Sequence, residues 1–317
     1  MAKTEYIAVS IFIFFWGMIF INELEFLKKK LTHQKPRETF KTKILHLLAI
    51  IGIVSVLYGF FIEPNWIDVH HVDIFTDKLK TNSFRIVQIS DFHSENKIRN
   101  ETKAVKIINA LNPDIIVFTG DSINVPTALP VFKTTLSNLK APMGKFAVKG
   151  NWDEYNFRNL DAFINTGFLE LNGKSFILSK SNDKISFSGL SSLSDLNKAP
   201  EIFKDLDQNI FNVFLFHRPG LIEEVSKFPV DLYLAGHTHG GQIRIPFYGA
   251  LVTLTKHGKK YEAGKYRVWN SILYINRGLG LEGGLTPKAR FLARPEITVL
   301  NIHPKDKQPL QIKRRLK

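Results

Sequence analysis

Metal-competent side chains fall at five places along this chain, and each place follows a short apolar run. Asp91-Phe92-His93 comes directly after Phe84–Ser90, Gly120-Asp121 closes Asp114–Thr119, and Gly150-Asn151 closes Lys145–Lys149. His217 follows Asn212–Phe216, and Gly236-His237-Thr238-His239 follows Asp231–Ala235. Such β-rich runs read as buried strands. Carboxylates, imidazoles and an amide oxygen are ligands for divalent ions, and a chain without cysteine has no thiolate to use instead. In open α/β sheets the carboxyl ends of strands border the crevice where ligands bind, and ligands on rigid strand ends need little ordering. Asp91 and His93 lie two apart, as do His237 and His239, so extended backbone would turn each pair to one side.

Each element alone says little. An isolated Asp-x-His is ordinarily two surface groups, a Gly-Asp after a strand is ordinarily a turn, and a single histidine is ordinarily hydrogen-bonded structure. Five of them in this order, each after an apolar strand, form a pattern that those readings do not produce.

The order Asp-x-His, Gly-Asp, Gly-Asn, His, Gly-His-x-His resembles that of the calcineurin-like metallophosphoesterase superfamily, over about Phe84 to Gln242, with strand-rich sequence continuing to about Ile302. The resemblance implies an α/β fold, a sandwich of two mixed β-sheets flanked by helices. It implies one metal on Asp91, His93, Asp121 and His239, and a second on Asp121, Asn151, His217 and His237, with Asp121 bridging. Asp121, Asn151 and His217 carry catalytic roles by the same resemblance. The implied cofactors are two divalent ions, manganese first, with iron, zinc or magnesium as alternatives. Gly236-His-Thr-His-Gly-Gly-Gln242, Asn276-Arg-Gly-Leu-Gly280 and Arg294-Pro-Glu-Ile297 are similar to a bacterial membrane-associated branch that includes UDP-2,3-diacylglucosamine pyrophosphatases of lipid A synthesis.

One departure bears on chemistry. The family follows Gly-Asn with a histidine that stabilises the transition state or protonates the leaving group; here Trp152 stands there, followed by Asp153. An indole N–H donates a hydrogen bond but no proton, and losing a general acid costs about 10²–10⁴-fold. A pyrophosphate or diester tolerates that loss better than an alkyl monoester. Arg218, Arg244, Arg277 and Arg290 are candidates for phosphate binding, each also readable as an ordinary solvated cation.

The elements that must position these groups follow from pattern. Further strands are expected at Lys184–Leu190, Ile272–Ile275 and Glu296–Ile302, with helices at Glu101–Leu111 and Leu160–Thr166. Ahead of them, Tyr6–Ile21 has no charged residue, and Ile44–Ile62 has only His46 as an ionisable group. Spanning needs roughly 17–25 apolar residues, so the second segment qualifies and the first is short. The expected organisation is two apolar membrane segments joined by a basic loop (1–63), a linker (64–82), a metallophosphoesterase domain (83–303) and a basic tail (304–317).

A net charge of +14 favours anionic partners. With membrane segments present, an anionic membrane surface and an amphiphilic phosphate substrate are expected rather than nucleic acid. The loop containing Lys28, Lys29, Lys30, Lys35, Arg37, Lys41 and Lys43 is expected on the cytoplasmic side of a bacterial inner membrane. Two spans then place the domain outside, whereas UDP-2,3-diacylglucosamine would require it inside. The alternatives are an extracytoplasmic phosphoesterase acting on other lipid or cell-wall phosphates, and a catalytically weak metal-bound interaction module.

Overall fold

A strand that is apolar at every position must be covered on both faces, and four of the five site-bearing strands are buried throughout or nearly so. The computed structural model describes residues 3–36, 38–191, 199–282 and 287–308. It satisfies those strands with two six-stranded mixed sheets packed face to face. In the first, β1 (Asp68–Thr76) pairs with β14 (Glu296–Pro304), followed by β2 (Phe84–Ile89), β3 (Ile115–Phe118), β4 (Gly144–Ala147) and β5 (Leu169–Glu170). In the second the order is β12 (Gly264–Val268), β13 (Ser271–Ile275), β9 (Leu232–Ala235), β8 (Phe211–Leu215), β7 (Asp183–Gly189) and β6 (Lys174–Lys180). Strands β2 to β5 run parallel to one another, as do β7, β8, β9 and β13.

Ile86, Val117, Phe146 and Leu300 from one sheet meet Phe187, Val213, Leu232 and Tyr274 from the other in the central core. A second cluster, including Phe118, Phe132 and Ile108, seats α3 (Glu101–Ala110) and α4 (Leu129–Ser137) on the outer face of the first sheet. A third, including Phe203, Ile222 and Tyr233, seats α6 (Ala199–Lys204) and α7 (Ile222–Val225) on the second. The buried Gln88 amide ties the sheets together near the site, donating to Ala235 O at 2.9 Å and Thr119 Oγ1 at 3.1 Å.

Two helices precede the sandwich, α1 (Lys3–Leu31) and α2 (Phe40–Leu57), the latter continuing through a wide turn at Tyr58–Ile62. Both are long and apolar enough to cross a membrane, and they are almost wholly exposed. The helices pack on each other where Trp16 lies over Gly52 and where His46 Nδ1 meets Glu23 at 2.7 Å.

The sequence expectations need three adjustments. The stretch read as a linker holds β1, paired in parallel with β14 over nine residues. Its His71 and Asp73 alternate with Val72 and Ile74, which are buried, so it is an edge strand with one covered face. Leu160–Thr166 is not helical: Asp161 Oδ1 accepts the N–H groups of Phe163 and Ile164 and makes a turn, a local bond that competes with a helix. The helix lies earlier, at α5 (Asn151–Phe157). Of the expected basic tail, Pro304 ends β14, Lys305–Lys307 form a short turn, and residues 309–317 lie outside the described residues.

Candidate metal centre

All five chemistry-bearing loops leave the carboxyl ends of parallel strands and meet at one edge of the sandwich. β2, β3 and β4 deliver Asp91 with His93, Asp121, and Asn151; β8 and β9 deliver His217, and His237 with His239. Two groups form there, with ligand atoms within 4.8 Å of one another: Asp91, His93 and His239, and Asp121, His217 and His237. Asp121 stands between them, its Oδ2 lying 3.1 Å from His217 Nε2 and 3.6 Å from His93 Nε2. Asn151 opens α5 beside this pair, its amide oxygen accepting from Arg218 Nε at 3.3 Å.

The expectation of extended Asp-x-His and His-x-His pairs does not hold. Asp91, His93, Asp121, His237 and His239 all have positive φ, between 41° and 73°. Left-handed backbone at non-glycine residues is uncommon and persists where surroundings impose it. The strand ends curl sharply here, so Asp91 and His93 still share a group whereas His237 and His239 enter different ones. Gly120, at φ 98°, permits the close approach: a Cβ there would sit 2.6 Å from Gly150 N and 2.7 Å from His217 Nδ1.

Three imidazoles are oriented by an outer partner on one nitrogen. His93 Nδ1 meets Asn124 Oδ1 at 2.8 Å, His217 Nδ1 donates to Thr119 O at 2.7 Å, and His237 Nε2 donates to Leu254 O at 3.2 Å. Their other nitrogens turn inward, an arrangement typical of metal-ligating histidine. His217 Nε2 is buried facing the Asp121 carboxylate, and His93 Nε2 faces His239 Nε2 at 3.2 Å. Inward ring nitrogens beside two carboxylates fit a pair of divalent ions.

Electrostatics agree with that fit. Burial lowers the pKa of His93 to about 4 and of His237 to about 3, and takes His239 well below its usual value. These rings are therefore neutral. Burial opposes charge on His217 too, but the Asp121 and Asp91 carboxylates outweigh it and raise the ring to about 9. Asp91 is pushed up to about 7, by burial first and then by Asp121, against the pull of His217. Asp121 is held well below the usual carboxylate range because His217 and His93 overcome the cost of its burial.

Several contributors escaped the sequence. The Asp153 carboxylate accepts the N–H groups of Asp121, Ser122 and Gly150 at 2.8–2.9 Å, clamping two ligand-bearing loops together. Its acidic position in the first turn of α5 was the available signal. Asn124, which orients His93, carried no signal in the sequence. Glu282 borders the site, and burial and the Asp121 charge raise its pKa to about 7.

Trp152 donates its backbone N–H to Asp121 Oδ1 at 2.8 Å and presents its ring edge-on to His93. Its indole Nε1 is buried with no partner among the described residues. Three of the four candidate arginines are otherwise engaged. Arg290 is fully buried and donates to the carbonyls of Arg277, Gly278, Gly280 and Ala293. Arg277 is paired with Asp68 and Glu296, and Arg244 with Glu262. Arg218 remains, lining a cavity of about 180 Å³ with His237, Leu254 and Lys256.

Known proteins converge on the same chemistry. The sequence pattern of the calcineurin-like phosphoesterase family matches residues 84–241. An uncharacterized metallophosphoesterase of Bacillus subtilis, YkuE, is 34% identical over 77% of this chain and 88% of its own length. The phosphodiesterase YaeI of Escherichia coli is 28% identical, over 77% and 92%. The UDP-2,3-diacylglucosamine pyrophosphatase LpxG of Chlamydia trachomatis is 26% identical, over 82% and 96%. Kinship over most of both chains, joined to two His/Asp groups at the strand ends, makes this chain a member of the calcineurin-like phosphoesterase family, a metal-dependent hydrolase of phosphate esters or anhydrides.

Proposed function

We propose that this enzyme hydrolyses a phosphodiester or pyrophosphate bond in a lipid-linked substrate at the membrane surface. Asp91, His93, Asp121 and His239 would hold one divalent ion, and Asp121, Asn151, His217 and His237 the other, with manganese the first ion to try. Ions so bound supply Lewis-acid stabilisation of phosphoryl charge and lower the pKa of an attacking water.

The observation that carries the lipid-linked reading is the direct tie between site and helix pair. The Arg290 backbone N–H donates to Gly59 O at 2.9 Å, and its guanidinium reaches His239 Nδ1 at 3.3 Å. The bond type follows from Trp152. Its unpartnered indole N–H can steady a phosphoryl oxygen but cannot protonate a departing alkoxide, so a leaving group that is already a stable anion suits the site. Arg218, at the cavity beside His237, supplies the cation for a second phosphate or a diester oxygen.

Charge pattern bears on sidedness. Lys28, Lys29, Lys30, Lys35, Lys41 and Lys43 lie where α1 turns into α2, at the end of the helix pair away from the sandwich. The positive-inside tendency favours an extracytoplasmic domain and hence lipid or cell-wall phosphates. UDP-2,3-diacylglucosamine is the second reading, favoured by the activity for which the chlamydial relatives are named, and it requires the domain inside. The deciding experiment is a substrate panel on manganese-loaded protein. Release of UMP from UDP-2,3-diacylglucosamine selects the second reading; cleavage of other lipid phosphodiesters or pyrophosphates without UMP release selects the first. Turnover of simple monoesters alone would overturn both. A topology reporter fused after Lys317 tests the side independently.

A further inference from the structure

We propose that the loop rim beside the site, from the β10–β11 ribbon to Leu254 together with Leu292, enters the lipid leaflet, so that the cavity at His237 opens at the bilayer surface. The ribbon consists of β10 (Arg244–Ile245) and β11 (Gly249–Ala250). What the rim delivers rests on the lipid-linked reading above; the surface itself is argued from contacts independent of it.

The rim is fastened to both helix ends. Glu5, in the first turn of α1, is buried and accepts from Thr253 N at 2.9 Å and Thr253 Oγ1 at 2.7 Å. At the end of α2, the Glu63 carboxylate accepts the N–H groups of Leu292, at 2.8 Å, and Ala293, at 2.5 Å. Ile243 bridges Phe291, and Arg244 N donates to Phe291 O at 2.9 Å. The ribbon base is thus held by the same segment that grips α2, while the chain just after it grips α1.

At these tethers apolar side chains face outward. Tyr6 follows Glu5, Leu254 follows Thr253, and Leu292 and Phe61 flank the Glu63 contact; all four are exposed. Phe247, at the ribbon tip, is fully exposed and holds a φ of 65°. A left-handed backbone is unfavourable for such a residue, and in water its ring gains no burial in return. Exposed apolar surface gathered in one place marks an interaction site, and Tyr6 and Phe61 lie at the sandwich ends of two exposed apolar helices.

Chain geometry sets the reach of the rim from its tethers. The buried Glu5 carboxylate marks where polar contacts end, and one helical turn further, about 5 Å, α1 is already exposed and apolar. Phe247 lies two residues past the paired stem Ile245–Gly249, a reach of about 7 Å from it. Leu254 joins the two functions: its side chain lines the cavity and its carbonyl accepts from His237 Nε2. A lipid phosphate would then pass from leaflet to site without leaving the surface.

The absence of cysteine makes the test direct. Full-length Phe247→Cys, labelled with an environment-sensitive fluorophore, is reconstituted in phosphatidylcholine–phosphatidylglycerol vesicles beside Leu292→Cys and the control Ile177→Cys. Ile177 is exposed on β6, at the opposite edge of the second sheet. Labels at 247 and 292 are expected to shift to the blue, and shallow spin-labelled lipids should quench them severalfold more than the label at 177. Equal, water-like emission at all three positions would overturn the surface whatever the substrate. So would a blue shift without lipid quenching, which is the signature of protein docking. Strong quenching in a protein that turns over no lipid-linked phosphate would support the surface and remove the substrate reading.

Discussion

The strand-end cradle and the rim beside it obey opposite rules. In the cradle, Asp91, His93, Asp121, His217 and His239 are buried and hydrogen-bonded, and all but His217 are held in left-handed backbone. At the rim, Phe247, Leu254 and Leu292 are exposed and held by backbone tethers to two helices. The contrast separates two tasks. Chemistry requires groups fixed to within a fraction of an ångström, whereas selection of a surface-borne substrate requires an apolar edge that the cradle itself cannot provide.

Substitutions in the two regions should therefore part company. The largest effect is expected for Asp121→Asn, which removes the carboxylate that stands between the two groups: hydrolysis of bis-p-nitrophenyl phosphate should fall by about 10³-fold, comparable with losing a key electrostatic stabiliser. Phe247→Ser should leave that soluble substrate within about twofold of the parent. Equal losses in the two variants would erase the distinction.

Asn124→Ala removes the outer partner of His93 and should weaken metal binding about 10–100-fold, read by competition with a fluorescent chelator. Binding should also strengthen as pH rises from 6 to 9. In the metal-free protein Asp91 releases its proton near 7 and His217 near 9, and a ligand must lose its proton first. The sign for stability is opposite: His217 is raised above its unfolded value, so its contribution to the metal-free fold is complete below about pH 6.5 and is lost as pH passes about 9. Metal affinity that is flat over this range would contradict the assigned roles of these two groups.

The smallest effect separates the arginines. Arg218→Ala should raise KM about tenfold, a loss of about 1.4 kcal/mol, with the melting temperature unchanged. Arg290→Met should instead destabilise the fold, because four buried carbonyls lose their donor.

The cradle was legible in sequence because ligand identity and strand periodicity are both local. Each of the five apolar runs forms a strand that ends at its chemistry-bearing loop, and the two-sheet sandwich was the implied fold. What escaped had a physical reason. β1, β6 and β12 are edge or half-covered strands whose polar faces mask their pattern. Asp153 and Asn124 act on groups about 30 residues away in the chain, a relation that spacing does not encode. Arg277 is engaged by a partner 209 residues distant and Arg290 by backbone carbonyls of a loop whose path spacing does not reveal, so sequence offered them on equal terms with Arg218. The left-handed turns reversed the assumption of extended pairs, because the convergence of five loops constrains backbone that alternation alone would leave extended.

The central claim is a site for two ions that hydrolyses phosphate esters or anhydrides. Its most direct test is a manganese titration of metal-stripped, full-length protein, following bound ion and hydrolysis of bis-p-nitrophenyl phosphate together. Two ions per chain are expected, with activity appearing only as both sites fill. A single ion at saturation, or two ions with no turnover of any monoester, diester or pyrophosphate, would contradict it.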